Sequence, residues 1–382
     1  MNSTFLIGHL DSGSPPNHPR LDGKIIESIA FNETGDFQEE PLKSSQYSHS
    51  SLSARIIFED DRYSLPALNS KTQLASVSIS SRGKTILNFL KGMDYLLDLA
   101  PQIVCMPIGF RQPIPIFYPM ISAFHNKGIH TIIPIGNNGI GKAHVPGCYP
   151  NVISVGAIDA TGKVTRYSGS YLDDSGNCLK PDILAQGNSL SVAGASTKKG
   201  TSFACSYIAG ITARLLQSQP SATSEEIRQA LYSTTQPLDT SQRNRCKRGV
   251  VQPDAALEFL LQNKNSTPTP QQESIPSFLR EPYKDKRFLS QLKNTKPDSL
   301  LEAIIIPNPN IGKLMDAQDS STLSHHLILN IQKASGLAPD YCHYFIHADM
   351  AHIRARVSFF EVLLKHPSLF TISAVDVNIF EM

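Results

Sequence analysis

The sequence predicts an α/β protein with a doubly wound, mostly parallel sheet, helices on both faces and a small C-terminal α+β domain. From residue 4 to about 261, short apolar runs alternate with amphipathic stretches, which is typical of parallel strands joined by crossover helices. Residues 263–300 are instead rich in Asn, Thr, Pro, Gln and Lys, and apolar residues return after 300. We therefore expect a domain at 1–262, a polar, Pro-rich linker at 263–300 and a small α+β domain at 301–382.

The strands and helices of the first domain follow in order along the chain. Apolar runs of about six residues predict strands at 5–10, 74–79, 103–108, 130–135 and 152–157. Longer segments with helical periodicity predict helices at 84–99, 114–126, 201–217, 224–232 and 253–261. In the C-terminal domain, EAIIIP, YCHYFIHA and FTISAVDVNIF are typical of strands, whereas LSHHLILNIQKA and VSFFEVLLKHP are typical of helices.

Composition excludes several classes of function. Hydrophobic residues make up 40% and charged residues 18%, which indicates a globular chain, and the net charge of +2 gives no basic or acidic stripe. We expect no nucleic-acid and no membrane partner, since no apolar run is long enough to span a bilayer. The six scattered cysteines show no CxxC spacing and indicate free thiols. The start lacks the pattern of a signal peptide, so a cytoplasmic protein is expected, with a secreted chain lacking its leader as the alternative.

Three polar residues lie where a doubly wound sheet would bring loops together. Asp11 follows the first apolar strand in FLIGHLDSG, Asn137 follows another in HTIIPIGNNG, and Ser202 begins a small-residue helix in GTSFACSYIAG. Loops after parallel strands open onto a common crevice, where a hydroxyl, a carboxylate and an amide donor could serve acyl transfer. Taken singly, each has an ordinary alternative: a turn Asp, an Asn-Gly turn and a helix N-cap.

Together these segments resemble the subtilisin-like serine peptidases, the subtilases, over residues 4–261. LDSGSPPNHP resembles the family's catalytic-Asp segment and IPIGNNG its oxyanion segment, followed by VPGCYPNVISVGAIDATGKV, KPDILAQG and the nucleophile block GTSFACSYIAG. The resemblance implies a subtilisin-like fold in which Asp11, a histidine and Ser202 form the triad and Asn137 holds the oxyanion. The order Asp, His, Asn, Ser is the subtilisin order.

The histidine block departs most from the family. The stretch in the matching position begins His49-Ser50-Ser51-Leu52-Ser53 and keeps little beyond the histidine. We expect His49 to be the general base, with His9 or His125 as alternatives, and the side chain of Ser50 in place of the usual glycine favours reduced or gated activity. Ser206 stands where the nucleophile helix usually has a proline.

The same resemblance predicts where substrate binds. An extended peptide would add as a strand to edges formed by Ser81, Arg82, Gly83, Pro107, Ile108, Gly109 and Gly136. Pro107 replaces a usual serine and donates no backbone hydrogen bond. Arg82 is expected to be a solvated surface residue, with recognition of an acidic substrate residue as the alternative.

The family's N-terminal prodomain has no counterpart in the ten residues before Asp11. Proteases that mature cyanobactin peptides also do without one, and GNNG, HVPG and GTSFA look similar to theirs. The helix and strand at 357–380 loosely resemble the end of a subtilase prodomain. The C-terminal domain is therefore expected to bind the catalytic domain, a precursor peptide or an unrelated partner.

The function implied is a serine endopeptidase that cleaves peptide bonds through an acyl-enzyme, in the processing of a specific peptide precursor. A peptide-binding pseudoprotease and a peptide ligase or macrocyclase remain alternatives, whereas a metal-dependent hydrolase fits poorly because no HExxH motif appears. No cofactor or catalytic metal is expected. Calcium often stabilises the family, but its ligands cannot be assigned on this chain.

Overall fold

The computed structural model describes residues 4–13, 21–39, 48–59, 65–80, 82–187, 198–263, 273, 275–308 and 323–376, together with the backbone of 380–381. The strands, in chain order, are β1 Phe5–Asp11, β2 Ile25–Phe31, β3 Phe37–Gln38, β4 Thr72–Ile79, β5 Ile103–Cys105, β6 Gly109–Phe110, β7 His130–Pro134, β8 Ile153–Ile158, β9 Tyr171–Leu172, β10 Cys178–Lys180, β11 Ile183–Gln186, β12 Gly249–Val250, β13 Tyr283–Lys284, β14 Leu300–Pro307, β15 Tyr341–Phe345, β16 Met350–Arg356, β17 Leu369–Ser373 and β18 Phe380–Glu381. The helices are α1 His49–Glu59, α2 Thr85–Leu99, α3 Tyr118–Asn126, α4 Thr201–Ser218, α5 Ser224–Ser233, α6 Pro253–Gln262, α7 Lys286–Asn294, α8 Leu323–Ser335 and α9 Val357–Leu363.

The larger sheet has nine strands in the order β12-β11-β8-β7-β5-β1-β4-β2-β3. Every neighbouring pair is parallel except β2 and β3. This arrangement confirms the predicted doubly wound, mostly parallel sheet. It places β1 between β4 and β5, so the Asp11 end of β1 lies near the middle of the sheet, opposite Ser78 of β4.

Helices cover both faces of this sheet, because its strands are apolar on both sides. Ile7 of β1 packs with α1, α4, α5 and α6 on one face, and Leu10 packs with α2 and α3 on the other. On the first face, α1 and α4 approach closely at Gly210, where a Cβ would lie 2.7 Å from the carbonyl oxygen of Ile57. The two helices that begin at His49 and Thr201 are therefore held against each other and against β1.

The predicted elements of this domain are present, with differences that have local causes. The predicted strand 103–108 ends at Cys105, close to Pro107, which has no N–H for the ladder. The predicted helix 114–126 begins only at Tyr118, because prolines at 113 and 115 disfavour a regular helix start. Strands β2 and β11 were not predicted, and β2 carries the polar pair Glu27-Ser28 that interrupts its apolar run.

A second sheet has the order β13-β17-β14-β16-β15. Alternate residues of β14 point to opposite faces: Ala303 and Ile305 pack against α7, α8 and α9, whereas Ile304 and Ile306 pack in the core that contains α2 and α3. Strand β16 was not predicted. The segment 263–300, predicted as a linker, includes β13 and α7, which buries Phe288.

The second sheet is fixed to α2 by polar contacts along the length of that helix. Lys84 Nζ lies 2.6 Å from Glu302 Oε2, and His347 Nε2 lies 2.8 Å from Asp98 Oδ1. The backbone N–H of Leu87 donates to the carbonyl oxygen of Val375. Beyond that point β18 pairs antiparallel with β6, with Glu381 opposite Gly109.

Candidate active site

A buried carboxylate and a histidine meet at the end of β1. The Asp11 side chain is fully buried and accepts a hydrogen bond from the N–H of Ser12. His49 Nδ1, on the first turn of α1, lies 2.8 Å from Asp11 Oδ2 and 3.1 Å from Oδ1. Because carboxylate oxygens only accept hydrogen bonds, Nδ1 carries a proton, and in the neutral ring Nε2 is then the acceptor. His49 Nε2 is buried and has no hydrogen-bond partner within the described part of the chain.

The surroundings keep Asp11 charged. Burial alone would raise the pKa of Asp11, but the charge of His49, its hydrogen bond and the N–H of Ser12 together hold that pKa below its usual value. A second histidine, His9, has its Nε2 3.8 Å from Asp11 Oδ2. Burial lowers the pKa of His9 to about 4, so this ring is neutral near pH 7. The site therefore holds one anion, oriented toward His49.

Ser202 lies on the first turn of α4 and is 3% exposed. The ring of the next residue, Phe203, is 5.4 Å from the His49 ring between centroids, so the first turn of α4 packs beside the histidine. A serine in this position offers a free backbone N–H as well as its hydroxyl. The structure thus places the first turn of α4, which contains Ser202, beside the Asp11–His49 pair.

Asn137 joins the group from the loop after β7. Its Oδ1 accepts hydrogen bonds from the backbone N–H and the hydroxyl of Thr201, each at 3.0 Å. This anchoring leaves Asn137 Nδ2 as the donor side of the amide. A Cβ placed on Gly200 would lie 3.6 Å from Asn137 Nδ2 and 3.9 Å from Ser202 N. Two N–H donors therefore border the same small space beside Gly200, an arrangement that suits a developing oxyanion.

The predicted substrate residues fall into two groups. Gly109 and Gly136 both pack on His144: a Cβ would lie 2.9 Å from its Cβ in the first case and 2.4 Å from its Cγ in the second. Pro107 and Ile108 are buried just before β6. Gly83, with φ +67°, instead packs against the Glu33 carbonyl, and the exposed Arg82 donates its backbone N–H to Ser80 Oγ. Ser81 lies outside the described residues.

The sequence analysis named His9 and Ser206 separately, but it missed Ser53 and the buried polar group that the three residues form beside Asp11, His49 and Ser202. His9 Nε2 lies 2.8 Å from Ser53 Oγ, which lies 2.7 Å from Ser206 Oγ. The sequence carries a signal for this group, because residues two apart on a strand or four apart on a helix point the same way. His9 is two residues before Asp11, Ser53 is four after His49 and Ser206 is four after Ser202. His125, one alternative base, lies on α3, where the charges of Arg228 and Glu225 of α5 act on its ring.

Comparison with known sequences identifies the family. The model of the subtilase family matches residues 2–256, about two thirds of the sequence. The chain belongs to the subtilase family. This confirms the resemblance drawn from the separated motifs.

Known relatives are distant in sequence. The thermophilic serine proteinase of Bacillus sp. strain AK1 is 25% identical over 232 residues, which cover 60% of this chain and 55% of that protein. The intracellular serine protease of Paenibacillus polymyxa is 24% identical over 222 residues, covering 55% of this chain and 66% of that protein. The chain thus spans between 55% and 66% of the length of these two relatives.

Solved structures share the fold. The prenylagaramide maturation protease PagA superposes with a TM-score of 0.52 at 22% identity, covering 67% of this chain and 93% of that one. The patellamide maturation protease PatA gives a TM-score of 0.53 at 22% identity, covering 68% and 97%. The subtilisin-like fold and the likeness to cyanobactin-type proteases are therefore confirmed at the level of structure.

Metal-binding groups and membrane-spanning helices are both absent from the described residues. Among the described residues, no three His, Cys, Asp or Glu side chains are grouped so that they could hold a metal ion. No helix in the described ranges is long and apolar enough to cross a membrane.

Proposed function

We propose that this subtilase is a serine endopeptidase in which Asp11, His49 and Ser202 act as the triad and Asn137 as an oxyanion donor. The observation that carries the proposal is the 2.8 Å contact between His49 Nδ1 and the buried Asp11 carboxylate, beside the first turn of α4. This contact directs His49 Nε2 away from Asp11, on a ring that packs against the residue after Ser202. Family membership supports the same assignment.

The proposed reaction follows from these positions. Ser202 Oγ attacks the peptide carbonyl carbon while His49 Nε2 takes the hydroxyl proton, and Asp11 stabilises the imidazolium that forms. The carbonyl oxygen becomes an anion between Asn137 Nδ2 and the Ser202 N–H. His49 then gives its proton to the leaving amine as the C–N bond breaks. Water, deprotonated by the same nitrogen, attacks the acyl-enzyme and releases Ser202 and the acid product.

Intact-mass detection of a fluorophosphonate probe tests the triad. The wild type is expected to gain one phosphonyl group, and Ser202→Ala and His49→Ala are expected to gain none. His125→Ala is the matched control and should label like the wild type, because the charges that act on its ring are those of Arg228, Glu225 and Glu273 and not that of Asp11. A folded protein that stays unlabelled both as the wild type and after deletion of residues 376–382 would favour the pseudoprotease alternative.

For the substrate, we propose an unfolded peptide precursor that binds as a strand along β6. The support is that β6 already pairs with an extended segment, Phe380–Glu381, at the predicted substrate residue Gly109. The solved neighbours PagA and PatA are maturation proteases, which favours processing of a specific peptide. Mass analysis of products from a peptide library would distinguish hydrolysis, which adds water, from ligation or cyclisation.

We further propose that residues 301–382 act as an intramolecular partner that covers the substrate edge. The supporting contacts are the shared core between β14 and α2, the ion pair of Lys84 with Glu302, and the pairing of β18 with β6. A tethered strand competes with substrate at an effective concentration in the millimolar range. Peptides that bind β6 would therefore have to displace β18.

Deletion of residues 376–382 tests this second proposal. It should raise the rate of fluorophosphonate labelling by about tenfold or more, since a millimolar intramolecular competitor is removed. Asp98→Asn, which changes a contact of the second sheet far from β6, should leave the rate within about twofold. An unchanged rate after the deletion would show that β18 does not block the cleft.

A further inference from the structure

We propose that His9, Ser53 and Ser206 form a buried positioning network that holds the three triad-bearing elements in register. The inference rests on the proposed function, and it assigns to these residues no contact with substrate. Hereafter they are called the His9 network. Each member lies one structural repeat from a proposed triad residue and on the same element: His9 with Asp11 on β1, Ser53 with His49 on α1, and Ser206 with Ser202 on α4.

The hydrogen bonds of the network run in one direction. Ser206 Oγ donates to the Ser202 carbonyl oxygen at 3.1 Å, and a carbonyl can only accept. The hydroxyl of Ser53 therefore donates to Ser206 Oγ at 2.7 Å, which leaves Ser53 Oγ to accept from His9 Nε2 at 2.8 Å. The chain of donors fixes His9 as the neutral tautomer with its proton on Nε2.

Burial of the three side chains makes their hydrogen bonds costly to break. All three side chains have no solvent exposure. A buried hydrogen bond that loses one partner leaves a polar group without water to replace it, which destabilises the arrangement. The ring of His9 is also held neutral by burial, with its pKa lowered to about 4, and it lies beside the Asp11 carboxylate. A charged or displaced ring would therefore disturb the anion that orients His49.

The network also explains how this chain tolerates two departures from the family. Ser206 replaces a usual proline, and its hydroxyl finds partners on both sides of the helix contact. The histidine block is altered, yet Ser53 gives α1 a direct hydrogen bond to α4 one turn below the His49–Phe203 ring contact. The relative placement of His49 and Ser202 thus depends on a polar link in addition to the close helix packing at Gly210.

Measuring the maximal rate of phosphonylation and the apparent affinity for the probe separates a positioning role of the His9 network from a role in binding. Ser53→Ala and Ser206→Ala should each lower the maximal rate of phosphonylation of Ser202 by about tenfold, because small displacements of reacting groups slow attack strongly. The apparent affinity for the probe should change less than twofold. The double variant should be no slower than either single variant, since each substitution breaks the same chain. Thr212→Val is the control: it removes a buried hydroxyl of α4 that has no hydrogen-bond partner in the described part of the chain.

An activity-independent readout distinguishes this inference from the proposed function. In protein with ¹⁵N-labelled histidine, His9 should give the neutral Nε2–H signature at pH 7, assigned by its loss in His9→Gln. A His9 that is cationic or protonated on Nδ1 would overturn the network whether or not Ser202 reacts. Unchanged phosphonylation in Ser53→Ala and Ser206→Ala would overturn the positioning role. The Nε2–H signature with no labelling, either in the wild type or after deletion of residues 376–382, would overturn the proposed function and the catalytic part of this inference together.

Discussion

Asn137 is expected to have two separable roles, and two substitutions distinguish them. Its Oδ1 accepts from the backbone N–H and hydroxyl of Thr201, whereas its Nδ2 borders the space next to Ser202 N. Asn137→Ala removes the acceptor and the donor together. Asn137→Asp keeps an acceptor for Thr201, removes the donor and adds a negative charge beside the developing oxyanion, so a comparison of the two variants separates the anchoring of Thr201 from the loss of Nδ2.

The expected magnitudes differ for the two roles. Loss of one oxyanion donor typically costs about 10²–10³ in rate, or about 2.7–4 kcal/mol of transition-state stabilisation. The two hydrogen bonds to Thr201 together contribute about 1–2 kcal/mol to folding, since each is worth about 1 kcal/mol and Asn137 is partly exposed to water. Both variants should therefore react about 10²-fold or more slowly, and only Asn137→Ala should also lose measurable stability.

The assay pairs two measurements on each purified variant: the rate of fluorophosphonate labelling at Ser202, and the free energy of unfolding from urea titration. Asn138→Ala serves as the control for a neighbouring asparagine whose amide bonds His144 instead. If Asn137→Asp labelled within threefold of the wild type, the oxyanion role would be refuted. Equal losses of stability in both variants would refute the anchoring role of Oδ1.

Three further predictions concern stability. Burial, followed by the charge of Asp98, raises the pKa of Asp94 from 3.8 to about 6, and the charge of His347 partly offsets this rise. The ionised carboxylate is less stable in the folded state, so the free energy of unfolding falls as the pH rises from 3.8 to about 6 and stays lowered above that pH. Asp94→Asn should therefore raise the free energy of unfolding by roughly 1–3 kcal/mol at pH 8 and little at pH 4, in urea titrations at both pH values. Glu273→Gln should lower the free energy of unfolding by about 2–4 kcal/mol, because Glu273 Oε2 lies 2.9 Å from the Nζ of the buried Lys180. As a control, Glu258→Gln should lower it by less than about 0.5 kcal/mol, because Glu258 is exposed. Gly147→Ala should lower the yield of folded protein or its Tm sharply, since a Cβ would lie 2.1 Å from the Pro134 carbonyl oxygen; a Tm unchanged within error would show that this loop readily shifts.

Much of the first fold unit could be predicted because its signals are local. Runs such as HTIIPI and the small-residue pattern of TSFACSYIAG specify strand and helix within a few residues of the observed bounds. Asp11, Asn137 and Ser202 could be placed because each follows or begins such an element. His49 could be placed by order along the chain despite its altered neighbours, and the structure brings it to Asp11.

Other features depend on partners distant in sequence. Ser53 and Ser206 are 153 positions apart and meet only because α1 crosses α4 at Gly210. The pairing of Glu381 with Gly109 joins segments more than two hundred residues apart, and no local pattern at either site indicates it. Helix α7 was not predicted because its sequence is mostly polar, and it depends on one buried anchor, Phe288, packed against Phe360 of α9.

The central claim is that Asp11, His49, Asn137 and Ser202 form one assembled site. A crystal structure of the chain after reaction with a fluorophosphonate would test it most directly. The account predicts phosphorus bonded to Ser202 Oγ and a phosphonyl oxygen within about 3 Å of both Asn137 Nδ2 and Ser202 N. His49 should remain bonded to Asp11 through Nδ1, with Nε2 facing the adduct. Phosphorus on another residue, or an oxygen directed away from Asn137, would contradict the assignment.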